Sequence, residues 1–118
     1  MRLLGYSSDR TVAGAMYIVL TTVPDRALAN TLADKLVREK LAACVQILPQ
    51  MTSVYVWEGD VQRDEEHLLL IKTTAEKYAQ AEACIKENHT YDIPEIVALE
   101  SEKVSDKYRG WLEGHLGA

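Results

Sequence analysis

Two short runs constrain this chain more than any other feature. VYVW (residues 54–57) and LLLI (residues 68–71) are apolar at every consecutive position. Both are rich in the branched and aromatic side chains that suit strands. EGD (residues 58–60) lies between them and supplies turn chemistry through Gly59. A strand points successive side chains to opposite faces, so a strand with one wet face alternates apolar and polar residues. Neither run alternates. Both faces of the sheet they build must therefore be covered, and the question is by what.

The remaining pattern predicts the elements available. AMYIVLTT (residues 15–22) reads as a buried first strand. A first helix follows, with Leu28, Leu32, Leu36 and Val37 at helical spacing. Thr22 and Asp25 have capping-box spacing, and Pro24 falls in the first turn, where its missing N–H costs little. LAACVQIL (residues 41–48) is a second strand ended by Pro49, residues 53–57 a third and residues 65–73 a fourth. The second helix has Tyr78, Ala81 and Ile85 on one stripe, with a capping-box spacing from Thr73 to Glu76. EIVAL (residues 95–99) is a fifth strand. A short last helix has Ser105 as its N-cap and turns Tyr108, Trp111 and Leu112 inward.

The order β-α-β-β-β-α-β-α predicts an α+β domain. Both halves are strand, capped helix, strand, the split βαβ or ferredoxin-like arrangement, with an antiparallel sheet and helices on one face. Residues 15–118 form the domain, and residues 1–14, without periodicity, are expected to be a flexible tail. No spare helix is left for the second face. An apolar patch of that size is not left bare on a lone monomer, so self-association is the economical cover.

Charge and cysteine usage narrow the class. The 118 residues carry a net charge of -5, which argues against nucleic acid as the main partner. No run approaches the roughly 18 apolar residues of a membrane span, and the opening residues do not read as a secretory signal. Cys44 and Cys84 lie far apart without CxxC spacing and read as small core residues. The simplest address is the cytoplasm.

Two segments carry candidate chemistry. ENHTYDIPEIV (residues 87–97) places His89 near Tyr91, Asp92 and Glu95, so that an imidazole and carboxylates could chelate a divalent ion. The competing reading, which we favour, is a turn: His89 and Tyr91 close it, and Asp92 and Pro94 set the entry to the next strand. WEGDVQRDEEH (residues 57–67) holds five carboxylates, Glu58, Asp60, Asp64, Glu65 and Glu66, within nine residues. They would bind or steer a hard cation, or else solvate a hairpin and protect its edge. Asp60 and Glu66 fit the hairpin reading better. For Glu58, Asp64 and Glu65 the two readings stand even. Lys72 would pair with one of these acids across a subunit cleft lined by Tyr55, Trp57 and Tyr91, or hold a small anion there. His67 and His115 have no partner in sequence. No GxSxG, phosphate-binding Gly loop or HExxH occurs, so an enzyme is not expected.

Longer strings carry a resemblance. TTVPDRALANTLADKLV, LAACVQILPQMTSVYVWEGDVQRDEEHLLLIKTT and HTYDIPEIVAL resemble the CutA family of divalent-cation tolerance proteins over residues 16–113. The resemblance implies a ferredoxin-like fold in a tight homotrimer, with strands extended across subunits, similar to the trimer of the PII signalling proteins. It implies a role in tolerance to divalent cations, with copper(II) the first ion to consider. In an enterobacterial relative, copper binding involves a Cys at the end of the first strand and two adjacent His. Those positions fall on Thr21, Asn88 and His89, and only His89 keeps a ligand type suited to such metals. The alternative is a PII-like signalling or scaffold trimer whose inter-subunit cleft, with Trp57, Glu58, Asp64, Glu65, Lys72 and Tyr91, takes a small ligand or a partner protein.

Overall fold

One strand organises the sheet. In the computed structural model, which describes residues 15–117, β4 (Asp60–Thr74) runs for 15 residues. Its C-terminal half lies between β1 (Met16–Val23) and β2 (Cys44–Ile47), antiparallel to both. Its N-terminal half pairs instead with β3 (Met51–Trp57), in a two-stranded ribbon. β5 (Val97–Glu100) pairs antiparallel with the far edge of β1. The sheet order is β2-β4-β1-β5, with β3 joined to β4 off that path.

Helices link the strands. α1 (Arg26–Arg38) connects β1 to β2, which are parallel with β4 between them. α2 (Tyr78–Asn88) connects β4 to β5, which are parallel with β1 between them. The two crossovers therefore interleave. α3 (Asp106–Leu116) closes the described chain.

The two sheet faces differ. Val19, Val23, Leu69 and Ile71 face Ala29, Leu32 and Leu36 of α1 and Ala81, Cys84 and Ile85 of α2, all in one buried cluster. Leu32 and Leu36 of the predicted α1 stripe and Ala81 and Ile85 of the α2 stripe are buried here, Leu28 and Tyr78 pack half-buried against them, and Val37 lies outside the cluster. α3 departs from the expectation that all helices share a face. Its Leu112 and Leu116 pack with Met16 and Ala43, against Ile18, Val104 and Tyr108. By the two-residue period of β1, Met16 and Ile18 point away from Val19, so α3 covers one end of the opposite face.

Several local expectations give way to the sheet. Asp25, not Thr22, caps α1, its carboxylate accepting from the Leu28 N–H at 2.8 Å. Thr22 is still in β1, paired with Leu68. Thr73 does not cap α2 either. It belongs to β4, where its hydroxyl donates to the Leu41 carbonyl at 2.7 Å, and α2 begins only at Tyr78. Ser105 stands at the N-cap of α3 without a side-chain bond. Trp111 is 51% exposed rather than inward, its ring packed between Tyr108 and His115. β4 starts at Asp60 rather than Glu65, so Asp60 and Asp64 lie in the strand with Glu65 and Glu66.

The apolar runs resolve into two situations. In LLLI, Leu69 and Ile71 are fully buried against the helices, while Leu68 and Leu70 on the other face are half-buried. Val97 and Leu99 share that second face and are 45% and 52% exposed. VYVW is bare in the single chain, with Val56 at 66% and Trp57 at 52%.

The ribbon turn has a clear geometry. Trp57 pairs with Asp60, so Glu58 and Gly59 form a two-residue loop. Both have positive φ, 53° and 86°, as the hairpin turn that matches strand twist requires. A Cβ on Gly59 would meet nothing within 4 Å, so its cost is conformational. Gly59→Ala is expected to lower stability by about 1 kcal/mol, read as a lower urea midpoint at unchanged slope and fixed protein concentration. Glu58→Asn is expected to raise the midpoint, because Asn tolerates this region better.

Candidate functional site at the end of helix α2

The turn after α2 is built from its side chains. Asn88 ends the helix by donating its amide to the Cys84 carbonyl at 2.8 Å. His89 follows in an extended conformation, which stops the helix. Its Nε2 lies 2.7 Å from the Thr22 carbonyl of β1. A carbonyl only accepts, so Nε2 carries the hydrogen and donates it. The Tyr91 backbone N–H donates to Nδ1 at 3.1 Å. The two partners therefore select the neutral Nε2–H tautomer and engage both ring nitrogens. The ring also packs against Tyr91, with centroids 4.6 Å apart.

Tyr91 carries the turn to β4. Its hydroxyl donates to Glu66 Oε2 at 2.6 Å. Glu66 is only 7% exposed, and a buried carboxylate requires such a partner. Burial, then the bond to Glu66, pushes the Tyr91 hydroxyl well above the usual phenol value of 10.0. Two residues earlier on β4, Asp64 accepts the Tyr55 hydroxyl. That bond is the main reason the Tyr55 phenol is also raised. The corner thus holds two phenol–carboxylate pairs side by side.

The structure corrects the reading of Glu66 as part of a solvated hairpin. The available signal is its place at the mouth of the apolar LLLI run, where a carboxylate entering a buried strand must find a donor. His67, also without an evident partner in sequence, is buried and donates from Nδ1 to the Leu48 carbonyl at 2.9 Å. That bond fixes the link between β2 and β3 at Pro49.

The other candidates are scattered within one chain. Asp92 and Glu95 are exposed on the turn beyond Tyr91. Among the described residues, no three His, Cys, Asp or Glu side chains gather as a metal site would need. Thr21 is fully buried, its hydroxyl without a partner. Cys84 is a buried thiol, pushed up chiefly by burial and so unreactive. Cys44 is half-buried and free, less enclosed than a core residue.

Trp57 and Glu58 stand at the ribbon tip, and Asp64 and Glu65 lie toward its sheet end. Lys72 is eight residues from Asp64 on the same strand, about 26 Å away. It donates to Gln46 Oε1 at 2.8 Å. The ion pairs found among the described residues, Lys35–Glu39, Lys86–Glu82 and Arg109–Glu113, all lie within or at the ends of helices. The chain itself does not bring Lys72 to the ribbon acids.

The corner should be visible in alkaline titration. Tyr91 has a folded pKa above its unfolded one, so its contribution is fully present below pH ~10 and is lost as pH rises through the folded value. Absorbance at 295 nm is expected to show a late-ionising fraction of the six tyrosines, which Tyr91→Phe diminishes. The same substitution leaves Glu66 buried without its donor and is expected to cost about 1–3 kcal/mol.

Comparison with known proteins places this geometry among relatives. Residues 17–115 match the family model of the CutA1 divalent ion tolerance protein. A Thermus thermophilus protein named divalent-cation tolerance protein CutA is 45% identical over 100 residues, covering 85% of this chain and 97% of its own. An Arabidopsis thaliana protein named protein CutA, chloroplastic, is 48% identical over 106 residues, 90% of this chain. The match takes in only 57% of that plant relative's length. The solved structure of the Thermus thermophilus divalent cation tolerance protein has a TM-score of 0.80 at 45% identity, over 82% of this chain and 94% of that one.

Proposed function

The chain belongs to the CutA1 divalent ion tolerance family, and from that premise we propose that it serves divalent-cation tolerance as a cytoplasmic homotrimer that binds divalent ions, copper(II) first among them. The observation that carries the assembly is the second sheet face. Ile18, Leu20, Leu68, Leu70, Val97 and Leu99 share it by strand register, and α3 covers only the end at Ile18. The ribbon adds Val54, Val56, Trp57 and Val61, all exposed. A surface this apolar is stabilised by burial against other copies. The interleaved crossovers support a ferredoxin-like split βαβ protomer.

Divalent ions are cargo in this reading, and no reaction is assigned. The exposed carboxylates Asp92 and Glu95 on the turn, with Glu58 and Glu65 on the ribbon, would offer hard, low-affinity oxygen ligands. The names of the relatives support an interaction with divalent ions. The two free thiols support a reducing compartment.

A second reading has its own observation. Trp57 and Tyr55 present exposed aromatic surface, and Lys72 has no carboxylate partner among the described residues. A small ligand or partner protein in an inter-subunit cleft, as in PII-like trimers, would use both.

Light scattering is expected to give three times the 13.2 kDa chain mass. A monomer would remove the assembly. Calorimetry with copper(II) is expected to show weak saturable binding, reduced by the double substitution Asp92→Asn, Glu95→Gln. No heat at millimolar copper(II) would remove the cation reading and leave the cleft, tested by a metabolite thermal-shift screen.

A further inference from the structure

The donor set at His89 does not fit a resident transition metal. An imidazole ligates through a nitrogen lone pair. Nε2 carries the hydrogen donated to Thr22, and the lone pair on Nδ1 accepts from the Tyr91 N–H. The neighbours add no ligand set. Asn88 is turned back to Cys84, and the Tyr91 hydroxyl is committed to Glu66. An ion at His89 would have to break a bond that holds the turn, with no gathered carboxylates among the described residues to compensate.

What the same atoms do is tie three elements together. His89 leaves the C-terminus of α2, bonds to the backbone of β1, and orients the turn from which Tyr91 reaches β4. The clasp stands at a structural step. Val23 pairs with His67 as the last rung between β1 and β4, so Glu66 is the first residue at which β4 continues without β1. Beyond it β4 belongs to the ribbon. A carboxylate is buried at that step because a tyrosine hydroxyl is delivered to it, and the tyrosine is delivered because the imidazole fixes its backbone.

We infer that His89 is a positioning residue, a neutral clasp that seats Tyr91 on Glu66 where the ribbon leaves the sheet, and not a metal ligand. The inference takes from the proposed function only the choice of ions to test. The two amide substitutions separate the roles, since each can replace one ring nitrogen. Asn offers an acceptor near Nδ1 for the Tyr91 N–H, and Gln offers a donor near Nε2 for Thr22. Neither is a good ligand for copper(II) or zinc(II).

The experiment compares the wild type with His89→Ala, His89→Asn and His89→Gln at equal protein concentration. His89→Ala is expected to melt on the order of 5–10 °C lower, with Asn and Gln each recovering part of the loss. Copper(II) and zinc(II) isotherms of the folded variants are expected to superimpose on the wild type, whether the wild type binds weakly or not at all. Tenfold weaker binding in the Gln and Asn variants, or wild-type melting of His89→Ala, overturns the inference. If His89→Ala does not fold, nitrogen NMR of the wild-type imidazole decides. An Nε2–H tautomer unmoved by zinc(II) is expected, and a metal-dependent shift at Nδ1 refutes it.

Discussion

The ladder of β4 is the constraint on which the rest of the structure depends. A single strand serves two pairings in succession, first with β3 in the ribbon and then with β1 and β2 in the sheet. Strand periodicity carries through the change. It sends Leu69 and Ile71 to the helices and Leu68 and Leu70 to the open face. The apolar run LLLI is therefore two half-faces, one satisfied within the chain and one that the proposed assembly satisfies. VYVW differs, because its side chains on the ribbon are exposed among the described residues.

What the sequence revealed and what it hid follow from the range of the forces involved. The α1 stripe was legible because Leu28, Leu32 and Leu36 repeat at the helix period, a signal contained within a few turns. The caps were less legible. Thr22 and Thr73 have the right spacing, but each lies on a strand where ladder bonds hold the backbone extended. Thr73 also commits its hydroxyl to Leu41, 32 residues away. Tertiary pairing outweighs a cap worth about 1 kcal/mol. Trp111 misleads for a related reason. The face of α3 that packs is set by Leu112 and Leu116, and the Trp111 ring is served well enough by stacking on its own helix.

The candidate site divides in the same way. That His89 and Tyr91 close a turn was readable from the Asn, Asp and Pro around them. That Glu66 is buried was signalled only by its place before LLLI, because the donor that permits its burial lies 25 residues away. A carboxylate among five in nine residues reads as solvent-facing until the fold shows which one points inward. The ribbon acids and Lys72, grouped in sequence reasoning, are separated by the length of β4 itself. Any site joining them needs more than one chain.

These observations make the corner at Glu66 more than a local detail. β4 loses its β1 neighbour at that residue, and a strand edge left bare is a liability that folds must manage. The turn after α2 reaches that residue through the Tyr91 side chain. Its polar groups are matched in series, carbonyl to imidazole, imidazole to amide, and phenol to carboxylate, so each depends on the one before. Removing an early member leaves a later one buried without a partner, which is costlier than never having built the chain of bonds. The direction in which the ribbon leaves the sheet is thereby tied to the end of α2. In the proposed homotrimer the exposed apolar side chains of that ribbon meet a neighbour, so the geometry of the assembly would be set partly by an imidazole whose hydrogen bonds all lie within its own chain.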